Sequence, residues 1–309
     1  MPSEEVPVIK FTHVTAPNTP KGQAAQLFKE LAEERLPGRI KVEVFPSSQL
    51  MNNGDALEAI AFGEVQMIAP ALSNYDRFTN VYQVFDLPFL FSDIAAVERF
   101  QQSQIGQSLL NTLTDRGMTG LAYWHNGMKQ FGAQRPLRRP EQAEGLKFRI
   151  MEADVLEAQI LQLGGSPQKM AFAEVYQALQ TGAVDAQENT WSNIYTQKFF
   201  EVQDGVTETN HQLLAYLLVT STEWLNSLDE DVRTQFVSIV DEVTKEANAA
   251  VAETEAKNRQ NIIDAGGTIR ELTPEQRKVW VDTMKPVWTK FEGDIGKDLI
   301  DAAAASNGS

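Results

Sequence analysis

GLKFRIMEADVLEAQILQLGGSPQKMAFAEVYQALQTGAVDAQENTW, residues 145–191, alternates the patterns of strands and helices. Apolar and polar side chains alternate at Leu146–Met151, which is the period of a strand with one buried face. A helical run at Glu174–Thr181 precedes a strand-like segment that ends at Asn189. This order builds a parallel sheet, and such sheets present ligand-binding residues at their carboxyl edge. We therefore expect Arg149 and Asn189 to meet at that edge.

The first seventy residues show the same strand and helix alternation, which predicts an open α/β sheet. An internal echo supports a second unit of the same plan, since Leu57–Ala69 and Tyr176–Glu188 both combine a helix, a glycine and a strand. Helix-glycine-strand joins are common in α/β proteins, so chance similarity is the alternative to duplication. Two lobes with a shared cleft are the interpretation we favour.

Two apolar strands, at Leu121–Gly127 and after His211, are the expected crossovers between the lobes. The predicted lobes are residues 1–124 with 213–252, and residues 125–212 with 253–309, the ligand cleft lying between them. From Ser227 the apolar positions follow helical spacing as far as Gly266. A helix of roughly 35 residues would be about 50 Å long. We expect this long helix to span both lobes.

Composition excludes several classes of function. The chain has 309 residues, a formal net charge of −15 and no cysteine. The acidic balance argues against nucleic acid or an anionic membrane as partner, and the lack of cysteine excludes thiol chemistry and Cys-bound metals. No apolar run is long enough to span a membrane. The start, MPSEEVPVIK, lacks the features of a signal peptide, so either the protein is cytosolic or a signal has been removed.

Sequence motifs of metal and cofactor sites are missing. The three histidines have no metal-binding spacing, and neither a nucleophile elbow, a phosphate loop nor a dinucleotide fingerprint occurs. The sequence therefore predicts no metal and no cofactor. A proton-transfer enzyme that uses scattered carboxylates and a histidine stays open as an alternative.

Positive and amide side chains at strand ends are the candidates for ligand contact. Arg149 has a planar fork that can grip a carboxylate with two hydrogen bonds, although it could equally form an ion pair. Asn189 could face a ligand or close a turn. Lys129 follows a turn at Gly127, where an exposed lysine is the ordinary expectation, and His13 could be a structural histidine.

A set of motifs gives the chain a family resemblance. NTPKGQAAQLF, FPSSQL, VFDLPFLF, WHNGMKQ, GLKFRI and KMAFAEVYQALQTGAVDAQEN occur in this order between Ile9 and about Pro286. The chain thereby resembles the DctP-type solute-binding proteins of tripartite ATP-independent periplasmic (TRAP) transporters. The resemblance implies an α/β two-lobed periplasmic-binding-protein (Venus-flytrap) fold, a periplasmic location and TRAP permease membrane subunits as partners. It implies no enzymatic activity.

The resemblance also assigns roles to residues. Arg149 resembles the family's carboxylate clamp, Asn189 its amide partner and Phe172 an aromatic wall. Family members often carry Arg where this chain has Lys129, so sugar acids of the sialate type are disfavoured. NGMKQ is similar to the C4-dicarboxylate branch, which binds succinate, fumarate or malate.

A second carboxylate would need donors from the first lobe. The candidates are His13, Lys21 and Ser73, while Trp191 and His211 could complete the walls. We expect the two lobes to close over the ligand, because water competes for every donor in an open groove. An enzyme for a small carboxylic acid on the same scaffold, or a binding-only sensor subunit, are the alternative functions.

Overall fold

A computed structural model describes residues 6–308 of the chain. The amino-terminal residues 1–5, part of the segment that lacks signal-peptide features, lie outside the described residues. The chain divides into two compact units. Unit one comprises the described residues up to Pro70, Leu110–His125 and Tyr216–Val251. Unit two comprises Ala71–Leu109, Asn126–Ala215 and the described residues from Ala252 onward.

Strands and helices alternate through both units, and short 3-10 turns join them. The strands are β1 (Val8–Thr12), β2 (Lys41–Phe45), β3 (Met67–Ile68), β4 (Met118–Met128), β5 (Gln130–Ala133), β6 (Lys147–Ile150), β7 (Ser166–Lys169), β8 (Ala186–Asn189), β9 (Gly205–Glu208), β10 (Leu213–Ser221) and β11 (Ile269–Glu271). The helices are α1 (Pro20–Arg35), α2 (Asn53–Ala59), α3 (Ile94–Gln102), α4 (Gln104–Leu109), α5 (Asp154–Gln162), α6 (Val175–Thr181), α7 (Trp191–Thr196), α8 (Thr222–Ser227), α9 (Glu230–Ala249), α10 (Val251–Asp264), α11 (Pro274–Ile295) and α12 (Lys297–Ala305).

Unit one is built on a sheet of strand order β2-β1-β3-β10-β4. β1 runs parallel to β2 and β3, whereas β10 runs antiparallel to β3. At the start of helix α1 the Thr19 side chain accepts a hydrogen bond from the Gly22 N–H, and proline occupies the first turn. Its Phe28 ring packs edge-on against Phe11 of β1 and Phe236 of α9. Aromatic packing therefore fixes α1 on the sheet.

Unit two is built on a six-stranded sheet of order β11-β9-β5-β8-β6-β7. β6 runs parallel to both β7 and β8, and β5 runs antiparallel to β8. The core on one side of this sheet includes Phe131, Phe148 and Trp280, with Phe131 in ring contact with both of the others. The sheet thus has the parallel β7-β6-β8 arrangement that the alternation around Arg149 predicts.

Residues 71–109 belong to unit two, whereas the sequence assigned them to the first lobe. Hydrogen bonds to the carboxyl-terminal helices explain the difference. The Trp288 indole N–H donates to the Pro88 carbonyl over 2.8 Å, and Arg99 Nε donates to the Ser306 carbonyl over 2.7 Å. These partners lie about 200 residues away along the chain, and a local sequence pattern cannot reveal them.

The predicted 35-residue helix is two helices, α9 and α10. Ala250 separates them and retains helical backbone angles, with φ −84° and ψ −9°. Helix α9 falls in unit one and α10, apart from its first residue, in unit two. No glycine or proline stands at the break between α9 and α10, and the apolar residues keep helical spacing across it. The sequence therefore contains no signal that the helix is divided.

The internal echo corresponds to two equivalent turns. Gly63 follows α2 and Gly182 follows α6, and their φ angles are +73° and +74°. Both turns lead into a short strand, β3 or β8. A positive φ is the conformation that glycine adopts without a steric penalty. Gly182 is the C-cap residue of α6, whereas Gly63 lies beyond Ile60, the C-cap residue of α2.

Candidate ligand-binding site

Arg149 and Asn189 share one face of the sheet in unit two. Arg149 on β6 is the register partner of Gln187 on the parallel strand β8, and Asn189 lies two residues further along that strand. Alternate residues of a strand point to the same face. Both side chains therefore stand on one face near the carboxyl ends of neighbouring parallel strands, the usual position of ligand-binding groups in α/β sheets.

The Arg149 guanidinium is buried and has no anionic partner. Arg149 is 4% exposed, and its Nε donates to the Met170 carbonyl over 3.0 Å. Among residues 6–308 no carboxylate forms an ion pair with it, and its Nη groups find no acceptor. Burial lowers the pKa of Arg149 to about 10, against the opposing influence of Glu188 and Glu174. The group still stays protonated at neutral pH, so two donors are available to an anion.

Phe172 lies beside this cation. The Arg149 Cζ is 5.9 Å from the centre of the Phe172 ring, which itself packs edge-on against Phe199 at 6.0 Å. An aromatic face at this distance attracts a guanidinium. Phe172 can therefore stabilise the charge of Arg149 and limit the approach of water from one side.

Asn189 presents its amide nitrogen. The Asn189 Oδ1 accepts hydrogen bonds from the Thr190 N–H at 3.1 Å and from the Asn193 side chain at 2.8 Å. Its own NH₂ group donates to no atom of the described chain. Because the oxygen is already held by the start of α7, the amide N–H groups are the part left for a ligand acceptor.

Lys129 lies in a closed ion cluster on the opposite face of β8. Its Nζ donates to Glu188 Oε1 and to Gln212 Oε1, each over 2.7 Å. The other Glu188 oxygen contacts His211 Nε2 at 2.7 Å and accepts from Gln159 at 2.8 Å. Burial would raise the pKa of Glu188, but Lys129 and His211 hold it well below its usual value. The Lys129 ammonium and the Glu188 carboxylate are thus paired with each other and hydrogen-bonded within the cluster.

His211 is neutral in this cluster. Burial lowers its pKa, despite the nearby carboxylate. Its Nε2–H donates to Glu188, which leaves Nδ1 to accept from the Thr209 hydroxyl at 2.7 Å. The imidazole also stacks on Phe131, with ring centres 4.1 Å apart. Both the tautomer and the ring orientation are therefore fixed.

A further buried acid extends the cluster. Asp86 Oδ1 accepts from the Gln212 amide and from the Ser73 hydroxyl, each over 2.6 Å, whereas Oδ2 has no partner in the described chain. Burial raises the pKa of Asp86 to about 7. Ser73, expected as a first-lobe donor, thus belongs to unit two, and its hydroxyl hydrogen is engaged by Asp86.

Unit one holds a buried lysine, Lys21, that differs from Lys129 because it does not pair with a carboxylate of the described chain. The Lys21 Nζ donates to the Ala69 carbonyl over 2.9 Å and lies 3.6 Å from the centre of the Tyr216 ring. No carboxylate pairs with it within the described range, and burial lowers its pKa well below the usual value. His13 is buried nearby, and burial followed by the charge of Lys21 lowers its pKa to about 3.

The structure groups the residues that the sequence singled out. Arg149, Phe172 and Asn189 lie at one sheet edge, and Trp191 begins the helix that follows Asn189. Lys129 and His211 share the closed cluster, so the expectation of an exposed Lys129 is wrong, since it is 1% exposed.

Sequence reasoning missed Glu188, Gln212 and Asp86, the residues that surround Lys129 and His211. One signal was present, because the alternation that places Asn189 on one face of β8 places Glu188 on the opposite face, where Phe131 and Phe148 form the core. A carboxylate there requires a cation.

Two negative findings bear on function. No group of three or more His, Cys, Asp or Glu side chains within residues 6–308 is arranged to hold a metal ion. Across the same part of the chain, no helix combines the length and the apolar character needed to cross a bilayer.

A buried arginine without a protein anion, on the same face as an amide with unused N–H groups, has the donors that a small anion requires. Comparison with known proteins identifies the family of the chain. The family model for bacterial extracellular solute-binding proteins, family 7 (DctP), matches residues 11–294. The chain belongs to this family. Its members bind solutes and do not act as enzymes, which confirms the expectations of a binding protein and of a two-lobed α/β fold.

Similar proteins include relatives with named ligands. The C4-dicarboxylate-binding periplasmic protein DctP of Vibrio cholerae is 56% identical over 97% of this chain and 91% of that protein. A TRAP periplasmic solute-binding protein from Shewanella oneidensis, solved with succinate, is 51% identical, with a TM-score of 0.97 over 98% of this chain and 100% of that one. One from Pseudomonas aeruginosa, solved with L-malate, is 46% identical, with a TM-score of 0.90 over 92% and 99%.

Proposed function

We propose that this protein captures a C4-dicarboxylate such as succinate, fumarate or malate in the periplasm. The observation that carries the proposal is the buried Arg149 guanidinium, whose Nη groups have no acceptor among the described residues. A buried charge without a protein partner is unfavourable unless an anion completes it. A ligand carboxylate supplies that anion, and the similar proteins of Vibrio cholerae and Shewanella oneidensis are named for, or solved with, such acids.

In this proposal each residue of the sheet edge has a separate role. Arg149 grips one carboxylate through two hydrogen bonds, Asn189 donates from its amide, and Phe172 forms an aromatic wall. Lys129 and His211 act indirectly, because they hold Glu188 rather than offering free donors. Charge-assisted hydrogen bonds contribute about 1.5–3 kcal/mol each, so three or four of them reach the roughly 8 kcal/mol of a micromolar site.

We further propose that the loaded protein delivers its ligand to TRAP permease membrane subunits. The family match supports a transport role, and the net charge of −15 suits a carrier that has to stay soluble while it diffuses. The permease would recognise the liganded conformation in preference to the empty one.

The clamp role of Arg149 can be tested by calorimetry. We expect Arg149→Ala to weaken succinate binding at least about tenfold, because it removes two charge-assisted hydrogen bonds. Arg138→Ala is the matched control, since Arg138 is exposed and only donates to the Glu271 carbonyl at 3.3 Å. Unchanged succinate affinity in Arg149→Ala would remove the clamp from the proposal.

A thermal-shift screen over small organic acids tests the ligand class itself. A ligand at a hundredfold excess over its dissociation constant stabilises the folded state by about 2.7 kcal/mol. We expect C4-dicarboxylates to raise the melting temperature and sialate-type sugar acids to leave it unchanged. A shift with sugar acids alone would contradict the proposed ligand class.

A further inference from the structure

Glu255 of α10 holds the start of the helix that follows Asn189. Its Oε2 accepts from the Trp191 backbone N–H over 2.8 Å, and its Oε1 accepts from the Ser192 backbone N–H over 2.9 Å. Glu255 is 7% exposed. These are the first two N–H groups of α7, which have no partner within the helix. A carboxylate 63 and 64 residues further along the chain therefore replaces a local cap.

The end of β4 closes around the same carboxylate. A Cβ atom at Gly127 would lie 2.5 Å from Glu255 Oε2, so the glycine leaves the space that the carboxylate occupies. The adjacent Asn126 side chain donates to the Thr190 hydroxyl over 2.6 Å. The segment after Asn189 is thus held from two elements, by Glu255 of α10 and by Asn126 of β4.

We propose that Glu255 is a positioning residue for ligand binding, which fixes the backbone after Asn189 so that the Asn189 amide faces the ligand. The proposal rests on the proposed function, which gives Asn189 its role. Because Asn189 Oδ1 is bonded to the Thr190 N–H and to Asn193, the direction of its NH₂ group depends on where α7 begins. Glu255 sets that beginning.

Glu255 also occupies N–H groups that a ligand anion could otherwise take. Free N–H groups at the start of a helix attract anions. Helix α5, which follows the Arg149 strand, shows the same arrangement, since Asp76 Oδ2 accepts from the Asp154 N–H at 2.8 Å. With both helix starts engaged by protein carboxylates, Arg149 is left as the anion-binding group of this sheet edge.

The charge on Glu255 is sensitive to pH near neutrality. Burial raises its pKa to about 7, against the hydrogen bonds from Ser192 and Trp191. No cation of the described chain pairs with it. Arg259, one turn later on α10, lies over the Trp191 ring and pairs with Glu208 of β9 and Glu271 of β11. Above pH 7 the carboxylate accepts both N–H groups, whereas protonation turns one of its oxygens into a donor.

Amide hydrogen exchange and calorimetry on Glu255→Gln test the proposal, with the exposed Glu253→Gln of the same helix as control. In the ligand-free protein we expect exchange at Trp191 and Ser192 to accelerate at least about tenfold in Glu255→Gln, since local opening becomes easier. Amides of β6 report global opening and should change less. Succinate affinity at pH 8.5 should fall about tenfold.

The pH profile separates positioning from a general loss of structure. We expect the ratio of dissociation constants, Glu255→Gln over wild type, to decline from about ten at pH 8.5 toward one at pH 6, because wild-type Glu255 is then protonated as well. Taking this ratio cancels the titration of succinate itself. For Glu253→Gln the ratio should stay near one throughout.

Two results would overturn the inference. Unchanged exchange at Trp191 and Ser192 would show that Glu255 does not hold this segment, whether or not succinate binds. Faster exchange with an affinity ratio near one at every pH would show that the segment does not position a ligand group. Failure of the wild type to bind any organic acid would instead refute the proposed function, and the exchange result alone would then decide whether Glu255 holds the segment.

Discussion

Lys129 and Arg149 are two buried cations of unit two, and they differ in their partners. Lys129 pairs with Glu188 over 2.7 Å and both groups are almost completely buried. Arg149 is similarly inaccessible, at 4% exposed, yet donates only to a backbone carbonyl. A paired buried cation stabilises a fixed arrangement, whereas an unpaired one has unsatisfied donors. The difference supports the proposal that Arg149, rather than Lys129, contacts the ligand.

The largest expected effect is on Lys129. Lys129→Met leaves the Glu188 carboxylate buried without a cation, and such losses cost about 3–5 kcal/mol of unfolding free energy. Arg149→Met strands no carboxylate, so we expect a change below about 1 kcal/mol. Urea unfolding at pH 7.5 measures both, and equal losses in the two variants would abolish the distinction.

A double variant sharpens this prediction. Lys129→Met combined with Glu188→Gln removes the stranded charge, while the amide introduced by the second substitution would still reach His211. Residues in one network are not additive, and coupling of about 0.5–3 kcal/mol is usual for such pairs. We expect the double variant to be more stable than Lys129→Met alone.

A smaller effect concerns Asp86, at the far end of the Lys129 cluster. Its pKa rises from 3.8 to about 7 on folding, so the folded state binds the proton more tightly. The contribution of Asp86 to stability therefore falls as the pH rises from about 4 to about 7. Glu188, whose pKa is lowered on folding, adds only a small slope of the opposite sign above pH 5.

Asp86→Asn should flatten this profile. We expect the loss of unfolding free energy between pH 5 and pH 8 to shrink by about 2 kcal/mol relative to wild type. Asp294→Asn, on the exposed side of α11, is the control and should keep the wild-type slope. An Asp86→Asn profile parallel to that of the wild type would show that Asp86 is ionised throughout.

The smallest effect is expected at Lys21, the buried cation of unit one. Lys21→Met deprives the Ala69 carbonyl of one donor but strands no carboxylate. The ammonium is itself unfavourable in this environment, as its lowered pKa indicates. We expect unfolding free energy to change by less than about 1 kcal/mol in either direction. Lys10→Met, on the exposed face of β1, is the control. If Lys21→Met lost as much unfolding free energy as Lys129→Met, Lys21 would behave like a cation paired with a carboxylate, which contradicts the prediction.

Much of the sheet edge could be predicted because its signals are local. The alternation at Lys147–Ile150 indicates a strand, and Asn189 ends a second strand that follows a helix and a glycine. Thr273 followed by Pro274 is a local signal for a helix start, and the Thr273 side chain caps the Gln276 N–H at the start of α11. These features depend on neighbours within a few residues, which a sequence shows directly.

Features that depend on distant partners could not be predicted. Glu255 is one acidic residue among several on an exposed-looking helix, and its partners at Trp191 and Ser192 lie 64 and 63 residues away. Residues 71–109 include short turns without a regular apolar period, so their assignment to unit two depends on the hydrogen bonds of Pro88 and Arg99. The pairing of Lys129 with Glu188 likewise joins residues 59 positions apart.

The two equivalent turns at Gly63 and Gly182 have a consequence for chirality. A Cβ atom added at either position would meet no atom within 4 Å, so volume does not restrict the residue. The φ angles of +73° and +74° restrict it instead, because an L-residue is strained there. A D-amino acid prefers the mirror-image region, so D-alanine would fit both turns where L-alanine would not.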